Sequence, residues 1–364
     1  MYKKKKLILS DGREYEGYGF GSDKNTDAEI IVCTSMTGYQ EVLSNPANSG
    51  KIILMTYPII GSYGLADEDY ESNSLTIAGL AVREYNDLPS NFRYTKTLDE
   101  EMKECGVCGI FGLDTREIAK AVREQDEVRA RVIDDPQNET GIGITYINPF
   151  RIKDVSCRKI KYSRTANFKY NVVAVDCGIS NSAVKSLNSR GCNVIIVPFD
   201  TAADDIRFLK PHGLFISDGP GYPGDTETVV KLIRVFLGKI PVLGIGLGFL
   251  AIANTYGANI VRMKNGHCGS NYPVKSIYSK RISIVSQSHC YTVEQASLDD
   301  IKLEITHRNL NDDSIEGVAD EQKLVSAVAF HPETTVDDTD TSDVYDRFIT
   351  CMEQYISETG ESNA

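Results

Sequence analysis

Val242-Leu243-Gly244-Ile245-Gly246-Leu247-Gly248-Phe249-Leu250-Ala251-Ile252-Ala253 is the stretch from which the fold is read. It opens as a short apolar run of the kind that forms a buried parallel strand, and after a glycine turn it continues as a helix. A strand, a sharp turn and a helix N-terminus in direct succession make an elbow. The turn residue of an elbow is held in a strained conformation at the positive end of the helix. The stretch is interrupted by glycines and is too short to cross a bilayer.

Outward from it, apolar runs alternate with amphipathic segments. Strands are predicted at 172–175, 193–197, 214–217 and 242–245, with helices at 180–189, 203–209 and 227–237. A last helix carries Val344, Tyr345, Phe348, Ile349, Met352 and Tyr355 on one face. Alternating strands and helices predict an α/β doubly wound domain over 169–360. Before it, residues 1–147 read as short strands, Gly-rich turns and a few helices, including one at 115–123 opened by Asp114. That half is predicted to be an α+β domain. The polar, basic stretch 148–168 is the expected linker.

In open α/β sheets the reactive groups collect at the carboxyl ends of the strands. Ser217-Asp218-Gly219-Pro220-Gly221 follows one strand, and its glycines let backbone N–H groups approach an oxyanion. The Gly246 turn follows the next. Phe330-His331-Pro332-Glu333 adds an imidazole and a carboxylate two residues apart, a base and its orienting partner. Each signal alone is weak; their order within one domain is what gives them force.

Composition bounds the partners. Apolar residues make up 41% and charged residues 25% of the 364, as in an ordinary soluble chain. A formal charge of −12 argues against nucleic acid. The N-terminus, MYKKKKLILSDG, has no adequate apolar signal core, so the chain is expected in the cytoplasm with no membrane contact. The run Lys3 to Lys6 reads as a solvated lead-in to a strand. Nine scattered cysteines fit reduced thiols rather than a disulfide framework, and the lone Cys105-x-x-Cys108 lacks the second ligand pair of a structural zinc site. No metal is expected.

With these residues in view, the chain resembles the carbamoyl-phosphate synthetase small subunits, whose second domain is a class I (triad) glutamine amidotransferase. The first domain carries the resemblance in DGREYEGYGFG, in TSMTGYQEVLSNP, in TYPIIGSYG, in Ser90-Asn91-Phe92-Arg93 and in Leu113-Asp114-Thr115-Arg116. The second carries it in DGPGYPGD, the Gly246 turn, MKNGHCGSNYPVK and FHPE. The resemblance implies a Cys-His-Glu triad that hydrolyses glutamine, and a large subunit that binds ATP and Mg. That subunit makes carbamoyl phosphate for pyrimidine and arginine synthesis from the ammonia delivered to it. No cofactor is implied in this chain.

The family nucleophile lies in Gly-Ile-Cys-Leu-Gly-His-Gln, and here its position is Gly246. The triad positions His331 and Glu333 remain. The family's glutamine-site positions fall on Ala47, Gly219, Gly221, Leu247, Leu250, Ser288, Cys290 and Tyr291, several of them without the family's polar group. Loss of the thiol together with its binding groups predicts a small subunit unable to hydrolyse glutamine, in a complex that uses free ammonia. Two alternatives stand beside it. One is an active amidotransferase whose nucleophile has moved to Cys290 or Cys268. The other is a regulatory or binding protein independent of the synthetase, with a more apolar ligand in the old pocket.

Overall fold

The computed structural model describes residues 2–125, 127–134, 152–221, 223–333, 341 and 343–360. The chain forms two compact units. The first comprises Met1–Phe150 with Lys264–Gly269, and the second Arg151–Met263 with Ser270–Ala364.

In the first unit, seven strands close into a barrel in the order β1-β2-β8-β6-β4-β3-β9. They are β1 (Lys4–Leu9), β2 (Glu14–Gly21), β3 (Thr26–Cys33), β4 (Ile52–Met55), β6 (Gly79–Ala81), β8 (Cys108–Phe111) and β9 (Arg129–Asp134). Two short strands, β5 (Ile59–Ile60) and β7 (Glu84–Tyr85), pair separately. Period-two alternation divides the apolar side chains into two cores. Leu7, Leu9, Ile30, Ile52, Leu54, Ile110 and Val132 belong to one, with helix α3 (Thr115–Arg123) against it. Phe20, Ile53, Met55 and Leu80 belong to the other, where they meet Leu98 and Met102 of helix α2 (Leu98–Cys105). Helix α1 (Tyr39–Ser44) is tied down by Gln40, whose side chain donates to the Ala66 carbonyl at 2.7 Å and accepts from its N–H at 2.8 Å.

The barrel corrects one reading. Lys5 is not a solvated lead-in: alternation along β1 sends it inward with Leu7 and Leu9, and it is 1% exposed. Its ammonium reaches Asp134 at 3.1 Å. The stem lies over Gly19, where a β-carbon would stand 2.7 Å from Lys5 Cε. Ala47 is buried in the turn Pro46–Asn48, its N–H bonded to Asn45 Oδ1 at 2.9 Å.

The second unit is built on a ten-stranded sheet in the order β10-β12-β11-β13-β14-β19-β18-β17-β15-β16. The strands are β10 (Lys161–Ser163), β11 (Tyr170–Asp176), β12 (Cys192–Pro198), β13 (Gly213–Ile216), β14 (Val242–Ile245), β15 (Ile260–Ser276), β16 (Ile282–Val293), β17 (Glu304–Asn309), β18 (Ile315–Asp320) and β19 (Val325–Val328). Pairing is parallel through β12, β11, β13, β14 and β19. It is antiparallel from β19 to β18 and on to β17, and again where β10 adds to the opposite edge.

Alternate residues of the parallel strands enter different cores. Val173, Val175, Leu214, Ile216 and Val242 pack with helices α6 (Ala203–Phe208), α7 (Glu227–Phe236) and α8 (Leu247–Thr255). Val172, Ala174, Phe215, Leu243 and Ile245 pack with helices α5 (Asn181–Ser189) and α9 (Asp343–Thr359). Helices therefore cover both faces of the parallel part. The stretch expected as a linker is described from Ile152 onward, and there it belongs to this unit: helix α4 (Ile152–Val155) buries Ile152 in its core, and β10 pairs with β12.

Candidate active site

The carboxyl ends of β13 and β14 lie side by side, because those strands pair in parallel register with Ile216 opposite Gly244. Chain direction thus brings Asp218 and Gly246 to one edge. Gly246 caps the N-terminus of α8 at φ 55 and ψ −109, a backbone region that L side chains rarely adopt. Its N–H is bonded to the Val328 carbonyl at 2.9 Å and its carbonyl accepts from Leu250 N at 3.3 Å, so sheet and helix pin the turn from both sides.

Asp218 occupies the space in front of this turn. Its Oδ1 accepts from Leu247 N at 2.8 Å and from Gly219 N at 2.7 Å. Its Oδ2 lies 3.3 Å from His331 Nε2. Burial pushes the carboxyl above its ordinary value, and His331 with the two N–H groups only partly offsets that. A β-carbon on Gly246 would stand 2.0 Å from Oδ1 and 2.2 Å from Cγ. Gly219 is equally constrained, since a β-carbon there would come within 1.9 Å of the Cys177 carbonyl oxygen.

His331 is held through its backbone, its N–H donating to Ser286 of β16 at 2.9 Å. Behind the ring, Nδ1 lies 3.8 Å from Glu333 Oε1. Glu333 accepts hydrogen bonds from Ser180 Oγ and from Tyr345 Oη, both at 3.2 Å. Ser180 in turn caps α5. The result is a buried row of carboxylate, imidazole and carboxylate ending on two backbone N–H donors.

The chain matches the model of the carbamoyl-phosphate synthase small chain, CPSase domain, over residues 7–132, and that of class I glutamine amidotransferase over residues 173–351. The carbamoyl phosphate synthase small chain of Fusobacterium nucleatum is 40% identical over 353 residues, which are 96% of this chain and 98% of that one. The same-named protein of Staphylococcus saprophyticus is 39% identical over the full length of both, and that of Oceanobacillus iheyensis 37% over 95% of each. The chain belongs to the carbamoyl phosphate synthase small-chain family.

Within this small chain, the sequence-read positions fall into two groups. Gly219, Gly246, Leu247, His331 and Glu333 converge on the Asp218 cluster. Leu250 points away into the core of the second unit, 5% exposed, in the same cluster as the fully buried Phe249. Burying a side chain of that size stabilises by roughly 1.5–3 kcal/mol, so helix α8 is fastened by packing instead of by a polar side chain. Ser288, Cys290 and Tyr291 lie on β16 beyond Ser286, and the Tyr291 hydroxyl accepts from Arg262 at 3.1 Å. Gly221 sits in the loop after β13, 3.9 Å from Leu247 Cδ2 when fitted with a β-carbon.

The two cysteines offered as substitute nucleophiles, Cys268 and Cys290, lie on β15 and β16. Cys268 is buried in the first unit, where its carbonyl accepts from Thr34 N at 2.9 Å. Cys290 is half-buried on β16. The thiol that does lie near Asp218 is Cys177, which is buried and pushed far above its ordinary value by that burial and by Asp176 and Asp218. Asp218, at the centre of the cluster, is the functional residue that sequence pattern alone leaves without a role. The available signal was an acidic side chain immediately before the glycine expected to face an oxyanion.

Proposed function

We propose that this chain is a small subunit of carbamoyl-phosphate synthetase that does not hydrolyse glutamine. Amide hydrolysis of this type needs a thiolate to attack the amide carbon, N–H donors to take the developing oxyanion, and a base to manage protons. At the elbow there is no side chain at all. The observation that carries the reading is the Asp218 carboxylate, which fills the volume a residue-246 side chain would need and consumes both N–H donors.

Assembly with a larger subunit follows from the small-chain kinship. That subunit would bind ATP and Mg, and the complex would make carbamoyl phosphate for the pyrimidine and arginine pathways, in the cytoplasm, from free ammonia. The barrel unit has braced segments with no part in amide chemistry: Arg93 clasps Glu68 and Asp69 at 2.7 and 3.0 Å and presents neighbouring Phe92 at 96% exposure.

The test is purification of the chain from its native cells with whatever accompanies it, followed by a carbamoyl phosphate assay with glutamine and with ammonium. A large companion protein and synthesis from ammonium alone are expected. Glutamate release from labelled glutamine, abolished by a thiol alkylating agent, would overturn the reading, and Cys290→Ser and Cys268→Ser would then locate the thiol.

A further inference from the structure

Two sulfur atoms meet inside the first unit. Cys33 is the last residue of β3 and is fully buried, and Cys268, in the Lys264–Gly269 stretch of β15 that belongs to the same unit, is 4% exposed. Hydrogen bonds fix their backbones. The Cys33 carbonyl accepts from Thr56 N at 3.0 Å and from Thr56 Oγ1 at 3.1 Å, while the next residue, Thr34, donates to the Cys268 carbonyl through its N–H at 2.9 Å and its hydroxyl at 3.3 Å. So placed, the Cys268 thiol donates a hydrogen bond to Cys33 Sγ, which also accepts from the N–H and the hydroxyl of Ser35. Three donors converging on one sulfur favour its thiolate. They hold the Cys33 thiol below its ordinary value despite its burial, whereas burial pushes the thiols of Cys105, Cys108, Cys157, Cys177, Cys192 and Cys351 up.

We propose that Cys33 and Cys268 form a redox site, converted by hydrogen peroxide from two thiols into a disulfide that fastens β15 to the end of β3. The Cys33 thiolate attacks one peroxide oxygen, the O–O bond breaks and hydroxide leaves, so that Cys33 becomes a sulfenic acid. Cys268 then attacks the Cys33 sulfur. The S–S bond forms as the S–O bond breaks, and the departing oxygen takes the Cys268 proton to leave as water. In sum the two thiols lose two electrons and two protons, and one peroxide becomes two waters. The hydrogen bond assigns the roles, since the sulfur that accepts attacks and the sulfur that donates resolves. Because the two are already in contact, the second step is effectively unimolecular and outruns further oxidation of Cys33. Peroxide is little larger than water and reaches the pair through local opening of the native chain. The new bond joins residues far apart in sequence, and closing so long a loop restricts the unfolded chain, so the oxidised protein is the more heat-stable form. The inference is independent of the proposed function.

The test treats the reduced full-length chain with hydrogen peroxide, stops the reaction with catalase, alkylates the remaining thiols in urea and digests without reductant. A peptide joining Cys33 to Cys268 is expected as the main disulfide product, together with a melting temperature several degrees above that of the reduced protein. Dithiothreitol should reverse both. Cys268→Ser should leave Cys33 as a sulfenic acid that dimedone traps, and Cys33→Ser should leave Cys268 open to alkylation after peroxide. Should a serine variant not fold, the alanine variant takes its place, and the wild-type digest decides by itself in either case. Absence of the Cys33–Cys268 peptide from the folded protein, disulfides spread over the other cysteines, or a melting temperature unchanged by oxidation would each overturn the proposal.

Discussion

Asp218 Oδ1 stands 2.0 Å from the point that a β-carbon on Gly246 would occupy, so the two positions cannot both carry their larger choice. Asp218 and Gly246 therefore constrain each other from two loops, at the ends of β13 and β14, and single substitutions at 246 should behave accordingly.

Gly246→Cys is expected to lower the melting temperature and to leave glutamine turnover at background. The strained turn costs a non-glycine residue about 1–3 kcal/mol, and overpacking against Asp218 costs about as much again. Combining Gly246→Cys with Asp218→Ala should recover stability but not turnover, because Leu250 and Ser288 lack the side-chain amides that the resemblance implies for a glutamine site. Melting curves and glutamate release on the single and double variants, and on one that adds Ala47→Ser, Leu250→Gln and Ser288→Asn, check this. Efficient turnover by the single variant at full stability would refute it.

Asp218→Asn should gain on the wild type as pH rises. Burial places the folded carboxyl above its unfolded value, so the contribution of Asp218 is fully present in acid and is lost as pH rises through the folded value. The titratable groups that act on it are His331 and His289, and the amide keeps an acceptor for Leu247 N and Gly219 N. Urea unfolding of both proteins between about pH 4 and 8 measures the difference. A difference independent of pH would show that the carboxyl is not perturbed.

His307 should contribute to acid unfolding. It is half-buried beside Phe330, with ring centroids 5.4 Å apart, and desolvation lowers it to about 4. A depressed folded value means that its stabilising contribution is present above the unfolded histidine value and is lost as pH falls toward 4. The span corresponds to roughly 3 kcal/mol, at about 1.4 kcal/mol for each pH unit. His307→Phe should flatten stability between about pH 6.5 and 4, read by urea unfolding; an unchanged slope would exclude the assignment.

Lys5 and Asp134 should respond asymmetrically. Asp134 is about half exposed and can hydrate without its partner, whereas Lys5 cannot. Lys5→Met, which keeps the stem against Gly19, is expected to stay within about 1 kcal/mol of the wild type, while Asp134→Ala leaves a buried ammonium uncompensated and should cost about 3 kcal/mol or more. Equal losses in the two variants would mean that the pair acts through packing alone.

The sequence by itself determined four of the parallel strands and the helices between them, because apolar periodicity and helix caps are local. The order of the strands in the sheet and the fifth parallel strand, β19, were not legible there. The predicted strand 172–175 lies within Tyr170–Asp176, and Asp114 caps Thr115–Arg123 as read. It also determined the family, since spaced motifs such as DGPGYPGD and FHPE survive as strings. Only tertiary structure decided what those strings do. Barrel closure is a long-range pairing of β1 with β9, which local pattern cannot show, and that closure turned Lys5 inward. Likewise, nothing in the spacing of Asp218, Gly246 and His331 says that they touch. Parallel strand ends place the first two side by side and the backbone bond to Ser286 holds the third, so a position that reads as a missing thiol becomes, in three dimensions, a site filled by a carboxylate.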